Sequence, residues 1–308
     1  MTNLEYSYMI NMWGIPPFKK IQDWSEWDHA DAVGAYYLLD WDHVLKYIST
    51  AGFKGIELIR TAQIISEFGT AEKFTEFIGE RGIDKVVGSF AAAIGSTDPS
   101  NWDEIITELE PIVKFVSDCG GENISLQPGG QYCDEGPMTE KKLKNVAECI
   151  NRIGKMTADY SVLTSIHNEF WCIINSMWEL ETLLANTNPD HVSYCLDTAQ
   201  VAIAGNDPIF LYEKYHDRIK YFHLKDTKYI DTNRTEYKIH GIEYPDDAKR
   251  WFWEMGTGIV DFPALYRLLK KYNYRGWVTI ESDKSPNPIA STLLSRWYID
   301  NVLSKIYQ

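Results

Sequence analysis

The sequence predicts a single α/β domain, a (β/α)8 TIM barrel that spans residues 1–308. Strand-like apolar runs alternate with helix-like segments along the chain, and no Gly/Ser-rich linker divides it. Four consecutive strand-like runs in the second half end in carboxylate or imidazole side chains. A parallel barrel gathers the C-terminal ends of its strands at one mouth, where barrel enzymes carry their chemistry. The pattern therefore favours a barrel with one site at that mouth.

The first half of the chain supplies the first four strands. Apolar runs predict strands over Tyr6–Trp13, Gly52–Arg60, Lys85–Ala92 and Asn123–Gln127. Apolar residues at helical spacing predict helices over Trp41–Ser49 and Glu140–Ala158. A doubly wound sheet is the main alternative architecture. It is disfavoured because Gly14 is followed by Ile-Pro-Pro and not by a glycine-rich turn that would bind phosphate.

Strands 5 to 8 carry the candidate ligands. These four strands end in the segments Ser165–Glu169, Cys195–Asp197, Tyr221–Asp226 and Thr279–Asp283. Helices are predicted at Met177–Ala185, Ile209–Tyr215, Phe262–Tyr272 and, packed outside the barrel, Ile289–Lys305. One such side chain alone would as readily cap a helix, as Asp261 is predicted to do. Four such side chains at the ends of four consecutive strands indicate a shared site.

The composition limits the possible partners. The formal net charge of −14 disfavours nucleic acid, since a phosphate backbone attracts basic surfaces. No segment is long and apolar enough to cross a membrane, and the first residues lack a signal-peptide pattern. The five cysteines are scattered without a CxxC pair, which is typical of reduced thiols. We therefore expect a cytoplasmic protein that binds neither nucleic acid nor membranes.

Two long loops are predicted at the catalytic mouth: Phe18–Leu39 after strand 1 and Thr227–Gly258 after strand 7. Connections of this length in a compact domain are commonly lids, binding loops or interaction surfaces. Large rings in such loops often face a ligand or a partner protein. The tryptophans concerned are Trp13, Trp24, Trp27, Trp251 and Trp253. We expect Trp13 to contact substrate, and we expect a homo- or hetero-oligomer.

A mixed metal site is predicted where strands 5 to 8 end. Alternation along a strand directs His167 and Glu169 to the same side. Carboxylate and imidazole ligands without cysteine suit Mn²⁺, Mg²⁺, Co²⁺ or Fe²⁺, and such an ion polarises a carbonyl. The remaining candidate ligands are Asp197, His223 and Glu281.

Two further residues are predicted to act on substrate. Lys225 lies two positions after His223 and shares its direction, so we expect it to steady substrate oxygens or a developing charge. Glu57 lies in the second half of strand 2 and is a candidate for substrate contact.

Five short runs together carry a family pattern: Gly52–Leu58, Cys195–Gln200, His223–Asp226, Gly256–Phe262 and Gly276–Glu281. They resemble the xylose-isomerase-like TIM-barrel superfamily. This superfamily includes sugar isomerases and epimerases, inosose dehydratases and the metal-dependent catalytic subunits of C-glycoside deglycosidases. The resemblance covers nearly the whole chain from strand 2 onward. It implies that the residues matching metal-ligand positions on strands 6, 7 and 8 are Asp197, His223 and Glu281.

The chain departs from the superfamily pattern at two places. Ketose epimerases of this superfamily use one metal-bound glutamate from strand 5 and another from strand 8. Strand 5 here offers both His167 and Glu169, and either can fill the ligand position. Gln200 stands where many relatives have histidine. Glutamine cannot transfer protons, so Gln200 is expected only to coordinate substrate or metal.

The expected function is a divalent-metal lyase with Mn²⁺ as the first choice of ion. We expect Glu169 to be the strand-5 ligand and His167 to be a general base beside the metal. One base on one face suits proton abstraction α to a ketone and expulsion of a β-leaving group. The segment that starts at Glu281 also resembles the inosose dehydratase ending. The predicted substrate is a keto-sugar or cyclitol, including one that carries an aromatic aglycone. A sugar isomerase or epimerase is the alternative, followed by a non-catalytic barrel subunit.

Overall fold

The computed structural model describes residues 3–13, 40–232, 251–283, 285 and 287–308. Eight parallel strands close into a barrel, which confirms the predicted (β/α)8 fold. They are β1 (Leu4–Met9), β2 (Gly55–Leu58), β3 (Lys85–Ala92), β4 (Asn123–Gln127), β5 (Leu163–His167), β6 (Val192–Asp197), β7 (Ile219–Leu224) and β10 (Gly276–Ile280). Two short strands, β8 (Asp226–Thr227) and β9 (Phe252–Trp253), pair antiparallel outside the barrel.

Helices follow the barrel strands and cover their outer faces. They are α1 (Trp41–Thr50), α2 (Thr61–Phe68), α3 (Ala71–Gly79), α4 (Trp102–Asp118), α5 (Tyr132–Glu135), α6 (Glu140–Asp159), α7 (Met177–Asn186), α8 (Thr198–Ile203), α9 (Pro208–Tyr215), α10 (Phe262–Lys271) and α11 (Pro288–Asn301). Helix α6 buries the predicted face, which includes Leu143, Val146 and Ile150. Asp261 caps α10 as predicted, because its side chain accepts a hydrogen bond from the Ala264 amide. Within the described part of the chain, no helix is long and apolar enough to cross a bilayer.

The two long loops are described only in part. Phe18–Leu39, with Trp24 and Trp27, lies outside the described residues, as does the side chain of Trp13. The ends of the second loop, residues 227–232 and 251–258, are described and contain β8 and β9. Strand 1 is shorter than predicted, since Ile10–Trp13 forms a 3-10 helix. Its pairing with β10 stops at Tyr8 opposite Ile280.

Polar side chains fill much of the barrel interior below its mouth, where branched apolar residues are usual. Ser7 and Thr279 hydroxyls lie 2.8 Å apart, and Thr279 is hydrogen-bonded to the Tyr221 hydroxyl at 2.7 Å. Across the barrel, Ser165 and Ser193 hydroxyls lie 2.7 Å apart. We call this set the interior polar chain; it comprises Ser7, Asn123, Ser125, Ser165, Ser193, Tyr221 and Thr279, all buried.

One buried carboxylate fixes the segment that follows β9. Asp226 accepts hydrogen bonds from the backbone amides of Thr227 (2.8 Å), Gly256 (3.0 Å), Gly258 (2.8 Å) and Val260 (3.1 Å). A β-carbon at Gly258 would collide with the Thr227 carbonyl oxygen and with the Asp226 carboxylate. This anchor gives a structural reason for the two motifs that contain Asp226 and Gly258.

Gly258→Ala should therefore destabilise the protein by about 1–3 kcal/mol, the usual range for overpacking. Urea denaturation followed by circular dichroism measures the change. Gly79→Ala is the matched control, because a β-carbon at Gly79 meets no atom within 4 Å. The control should leave the stability unchanged or raise it slightly, since alanine favours helix. Equal stabilities of the two variants would contradict the role of this close approach.

Candidate metal centre

Four side chains from four consecutive barrel strands meet at the C-terminal mouth. His167 ends β5, Asp197 ends β6, His223 lies in β7, and Glu281 directly follows β10. One potential ligand atom from each lies within 4.8 Å of the others. All four residues are buried. The parallel barrel therefore brings together the ligand-type residues that the sequence placed at equivalent strand ends.

Each of these four residues has a buried polar atom without a hydrogen-bond partner among the described residues. The atoms are Nδ1 and Nε2 of His167, Oδ2 of Asp197, Nδ1 of His223 and Oε2 of Glu281. Buried polar atoms without partners are uncommon and destabilising, so each needs an explanation. A divalent cation would satisfy one atom of each residue, and the mixed imidazole and carboxylate donors suit such an ion. The residues present fit a metal site.

In each of the two carboxylates, Asp197 and Glu281, the second oxygen is held by hydrogen bonds. Asp197 Oδ1 accepts from the Gln200 backbone amide at 2.9 Å. Glu281 Oε1 accepts from Asn11 Nδ2 at 2.9 Å and lies 2.7 Å from Lys225 Nζ. Each carboxylate is thus oriented through one oxygen, and its other oxygen faces a histidine of the group. Asp197 Oδ2 lies 3.4 Å from His167 Nε2, and Glu281 Oε2 lies 2.9 Å from His223 Nδ1.

Lys225 contributes a buried, positively charged ammonium group at the barrel mouth. Its Nζ lies 2.7 Å from Glu281 Oε1, 2.9 Å from Asp283 Oδ2 and 3.3 Å from Asp197 Oδ2. Burial alone would lower the pKa of Lys225, but these carboxylates raise that pKa well above its usual value. The side chain therefore stays charged, and its Nζ lies 4.2 Å from the centroid of the Phe252 ring.

The structure places the two candidate ligands of strand 5, His167 and Glu169, differently. His167 lies inside the group of four ligand-type residues, whereas Glu169 lies outside it. Glu169 Oε1 is 3.9 Å from His167 Nδ1, so the two side chains are neighbours as the alternation predicted. Burial raises the pKa of Glu169 to about 8, although the nearby Lys225 opposes this rise.

Two residues predicted to bind substrate make contacts within the protein. Gln200 is buried, and its Oε1 accepts a hydrogen bond from the Phe170 backbone amide at 3.1 Å, which fixes the segment after β5. Glu57 has no exposed surface and lies beneath His223, with its Oε2 2.7 Å from His223 Nε2. Neither contact was expected from the sequence.

Asn11 and Asp283 are site residues that the sequence reasoning did not single out. Asn11 Nδ2 is hydrogen-bonded to both Glu281 and Asp283. Their positions carry a weak signal, because Asn11 lies two residues after the end of β1 and Asp283 two residues after Glu281. Residues just beyond barrel strands face the mouth, so their placement there follows from the fold.

An apolar cluster borders this site. It consists of Phe170, Ala199, Ile203, Ala204, Trp251 and Phe252. The Phe170 and Trp251 ring centroids lie 5.0 Å apart, and Trp251 is almost fully buried. Trp251 thus packs against the segment after β5, and the second long loop is attached to the barrel there.

A closed parallel barrel with imidazoles and carboxylates gathered at its C-terminal mouth defines the class of β/α-barrel proteins with a candidate metal centre. Within this class, the chain belongs to the xylose isomerase-like TIM barrel family, whose model matches residues 45–298. This confirms the resemblance seen in the sequence motifs.

Individual relatives cover nearly the whole chain. An inosose dehydratase of Bacillus velezensis is 25% identical over 313 residues, which cover 95% of this chain and 96% of that protein. The crystal structure of the IolI protein with a zinc atom has a TM-score of 0.72 at 15% identity and covers 99% of each chain. The structure of L-ribulose 3-epimerase has a TM-score of 0.70 at 15% identity, covering 99% of this chain and 96% of that chain.

Lys225→Met should destabilise the metal-free protein by about 3–5 kcal/mol, because it leaves buried carboxylates without their cation. Urea denaturation in a chelator measures this loss, and added Mn²⁺ should recover part of it by replacing the lost positive charge. Lys271→Met is the matched control, since Lys271 pairs with Glu213 on the exposed surface. It should change little. A Lys225 variant as stable as the wild type in chelator would contradict this account.

Proposed function

We propose that this protein is a divalent-metal-dependent lyase that acts on a keto-sugar or cyclitol. It removes a proton α to a carbonyl and expels a β-leaving group. The observation that carries the proposal is the group of four ligand-type residues at the barrel mouth, with Glu169 beside it. Similarity to an inosose dehydratase over 95% of the chain supports a dehydratase-type elimination on a cyclitol-like substrate.

Asp197, His223 and Glu281 would hold the ion together with one residue of strand 5. When bound, the ion acts as a Lewis acid toward the substrate carbonyl. The zinc atom in the IolI structure supports a divalent ion in a protein of this fold. The carboxylates of the set favour Mn²⁺, and its imidazoles suit zinc equally well. Elemental analysis of the purified protein therefore decides which of these ions is bound.

One of His167 and Glu169 is proposed to be the fourth metal ligand, and the other is proposed to be the general base. The interatomic distances favour His167 as ligand, since it lies inside the group. Charge favours Glu169, because its buried carboxylate has His167 as its sole ion-pair partner among the described residues. Burial lowers the pKa of His167, so its neutral imidazole is available to accept a proton. We retain Glu169 as ligand and His167 as base, and the variants below discriminate the two assignments.

Lys225 is proposed to stabilise the negative charge that develops on the substrate oxygen when the proton leaves. Its ammonium group is held beside the ligand carboxylates of Asp197 and Glu281, so it needs no reorganisation during the reaction. Charged donors fixed in a water-poor site contribute more than they do in water.

A sugar isomerase or epimerase is the second candidate, and similarity in fold to L-ribulose 3-epimerase favours it. Epimerisation requires proton transfer on both faces of the substrate carbon. Glu281 is the carboxylate opposite strand 5, but its Oε1 is held by Asn11 and Lys225 and its Oε2 faces His223 Nδ1 at 2.9 Å. This restraint makes Glu281 a better ligand than a second base, which supports elimination.

Protein purified without chelator should contain about one divalent ion per chain, as measured by elemental analysis. Asp197→Asn and Glu281→Gln should abolish binding, since each removes charge as well as geometry. His167→Ala should keep its ion and lose roughly two to four powers of ten in rate, the usual contribution of a general base. Glu169→Ala should lose its ion. The reverse pattern would exchange the two roles, and no ion in the wild type would defeat the metal proposal.

Reaction in deuterated water separates elimination from epimerisation. Incubated with a panel of inososes and 3-keto-glycosides, the wild-type enzyme should release water or an aglycone and form an unsaturated ketone. Mass spectrometry and proton NMR follow the products. An epimerase would instead return substrate and product labelled with deuterium at the same carbon. Clean epimerisation without an elimination product would overturn the lyase assignment.

A further inference from the structure

His223 has contacts on both of its ring nitrogens, and they differ in kind. Its Nδ1 faces the ligand group, lies 2.9 Å from Glu281 Oε2 and has no hydrogen-bond partner among the described residues. Its Nε2 points down into the barrel and lies 2.7 Å from Glu57 Oε2. His223 and Glu57 both have no exposed surface.

Glu57 is itself held in place from two sides. Ser125 Oγ donates to Glu57 Oε1 at 2.8 Å, and the Tyr221 hydroxyl donates to Glu57 Oε2 at 3.1 Å. Ser125 and Tyr221 belong to the interior polar chain, so further hydrogen bonds restrain them in turn. The carboxylate therefore lacks the freedom to rotate away from the imidazole.

Nδ1 is the nitrogen that faces the ligand group, so an ion there would bind His223 through Nδ1, and the ring proton would then lie on Nε2. A carboxylate accepts hydrogen bonds and does not donate them, so Glu57 can accept that proton. We propose that Glu57 is a positioning residue that holds the His223 ring with Nδ1 toward the ion and Nε2 as its hydrogen-bond donor. The inference rests on the proposed function, because it assumes that the mouth binds a divalent ion.

A purely structural role explains the observations less well. A fully buried carboxylate is destabilising unless it is paired, and an apolar side chain of similar volume usually stabilises such a position more. The contact that the structure shows for Glu57 at the mouth is with the His223 imidazole. Orientation of a metal-binding imidazole by a hydrogen-bonded carboxylate is a recurrent use of such a pair.

Glu57→Gln tests the inference because it keeps the size of the side chain and removes its charge. The glutamine amide can donate to Nε2 and so favour the proton on Nδ1, which cannot then bind a metal. Titration of the metal-free protein with Mn²⁺ alone, by calorimetry, should show an affinity about 10- to 100-fold weaker than in the wild type. Ser193→Ala is the matched control, since Ser193 lies in the same interior polar chain without contact to His223. It should bind Mn²⁺ as the wild type does.

A second readout is independent of activity. Long-range ¹⁵N–¹H NMR of the protein loaded with diamagnetic Zn²⁺ should show His223 bound through Nδ1 with its proton on Nε2 in the wild type, and a smaller fraction of this form in Glu57→Gln. If Glu57→Gln fails to fold, Tyr221→Phe is the substitute variant. The phenylalanine keeps the aromatic ring but removes the hydrogen bond from the Tyr221 hydroxyl to Glu57. That variant should weaken Mn²⁺ binding several-fold.

Two outcomes overturn the inference: unchanged Mn²⁺ affinity in the folded variant, or a wild-type His223 that binds Zn²⁺ through Nε2. Equal weakening by Ser193→Ala would also overturn it, since the effect would then report general loss of the interior packing. Failure of the proposed function is distinguishable from these results. In that case the wild type binds no ion, whatever residue stands at position 57.

Discussion

Negative charge confined at the mouth of the barrel is the constraint on which the rest of the site depends. The buried carboxylates there are Glu57, Glu169, Asp197 and Glu281, with Asp283 beside them. Burying carboxylates without compensation costs several kcal/mol each, so the surrounding groups must supply positive charge or hydrogen bonds. Lys225 contacts three of these carboxylates, and Asn11 joins two of them. A divalent ion would supply the remaining positive charge.

The sequence predicts the site well wherever a residue stands at the end of a barrel strand. Parallel strands place their C-terminal ends on one ring, so equivalent positions in successive strand-helix units become neighbours in space. For this reason His167, Asp197, His223 and Glu281 come together although more than a hundred residues separate the first from the last. The bounds of β3 and β4 also match the prediction, whereas strands 1 and 2 are shorter than predicted.

The sequence does not predict how deep in the barrel a side chain lies. The pairing of β2 with β3 shifts register between Ile56 and Glu57, and β6 shifts against β7 between Tyr194 and Cys195. Such irregularities redirect the side chains that follow, and no residue type marks them in one sequence. Glu57 is therefore found beneath His223 and not at the surface of the pocket. The contact of Gln200 was not predicted either, since its partner is a backbone amide from a different strand-helix unit.

The polar interior of this barrel is best understood as the support for its mouth. Branched apolar side chains would fill the same space and stabilise the fold through burial, but they could not hold a carboxylate in one orientation. Hydroxyl groups both donate and accept, so Ser7, Thr279 and Tyr221 can pass a continuous set of hydrogen bonds up to Glu57. A fully satisfied network of this kind is rigid, whereas a partly satisfied one is destabilising. Ser125 and Tyr221, which contact Glu57 directly, are therefore constrained as tightly as the candidate ligands, since the orientation of His223 depends on them.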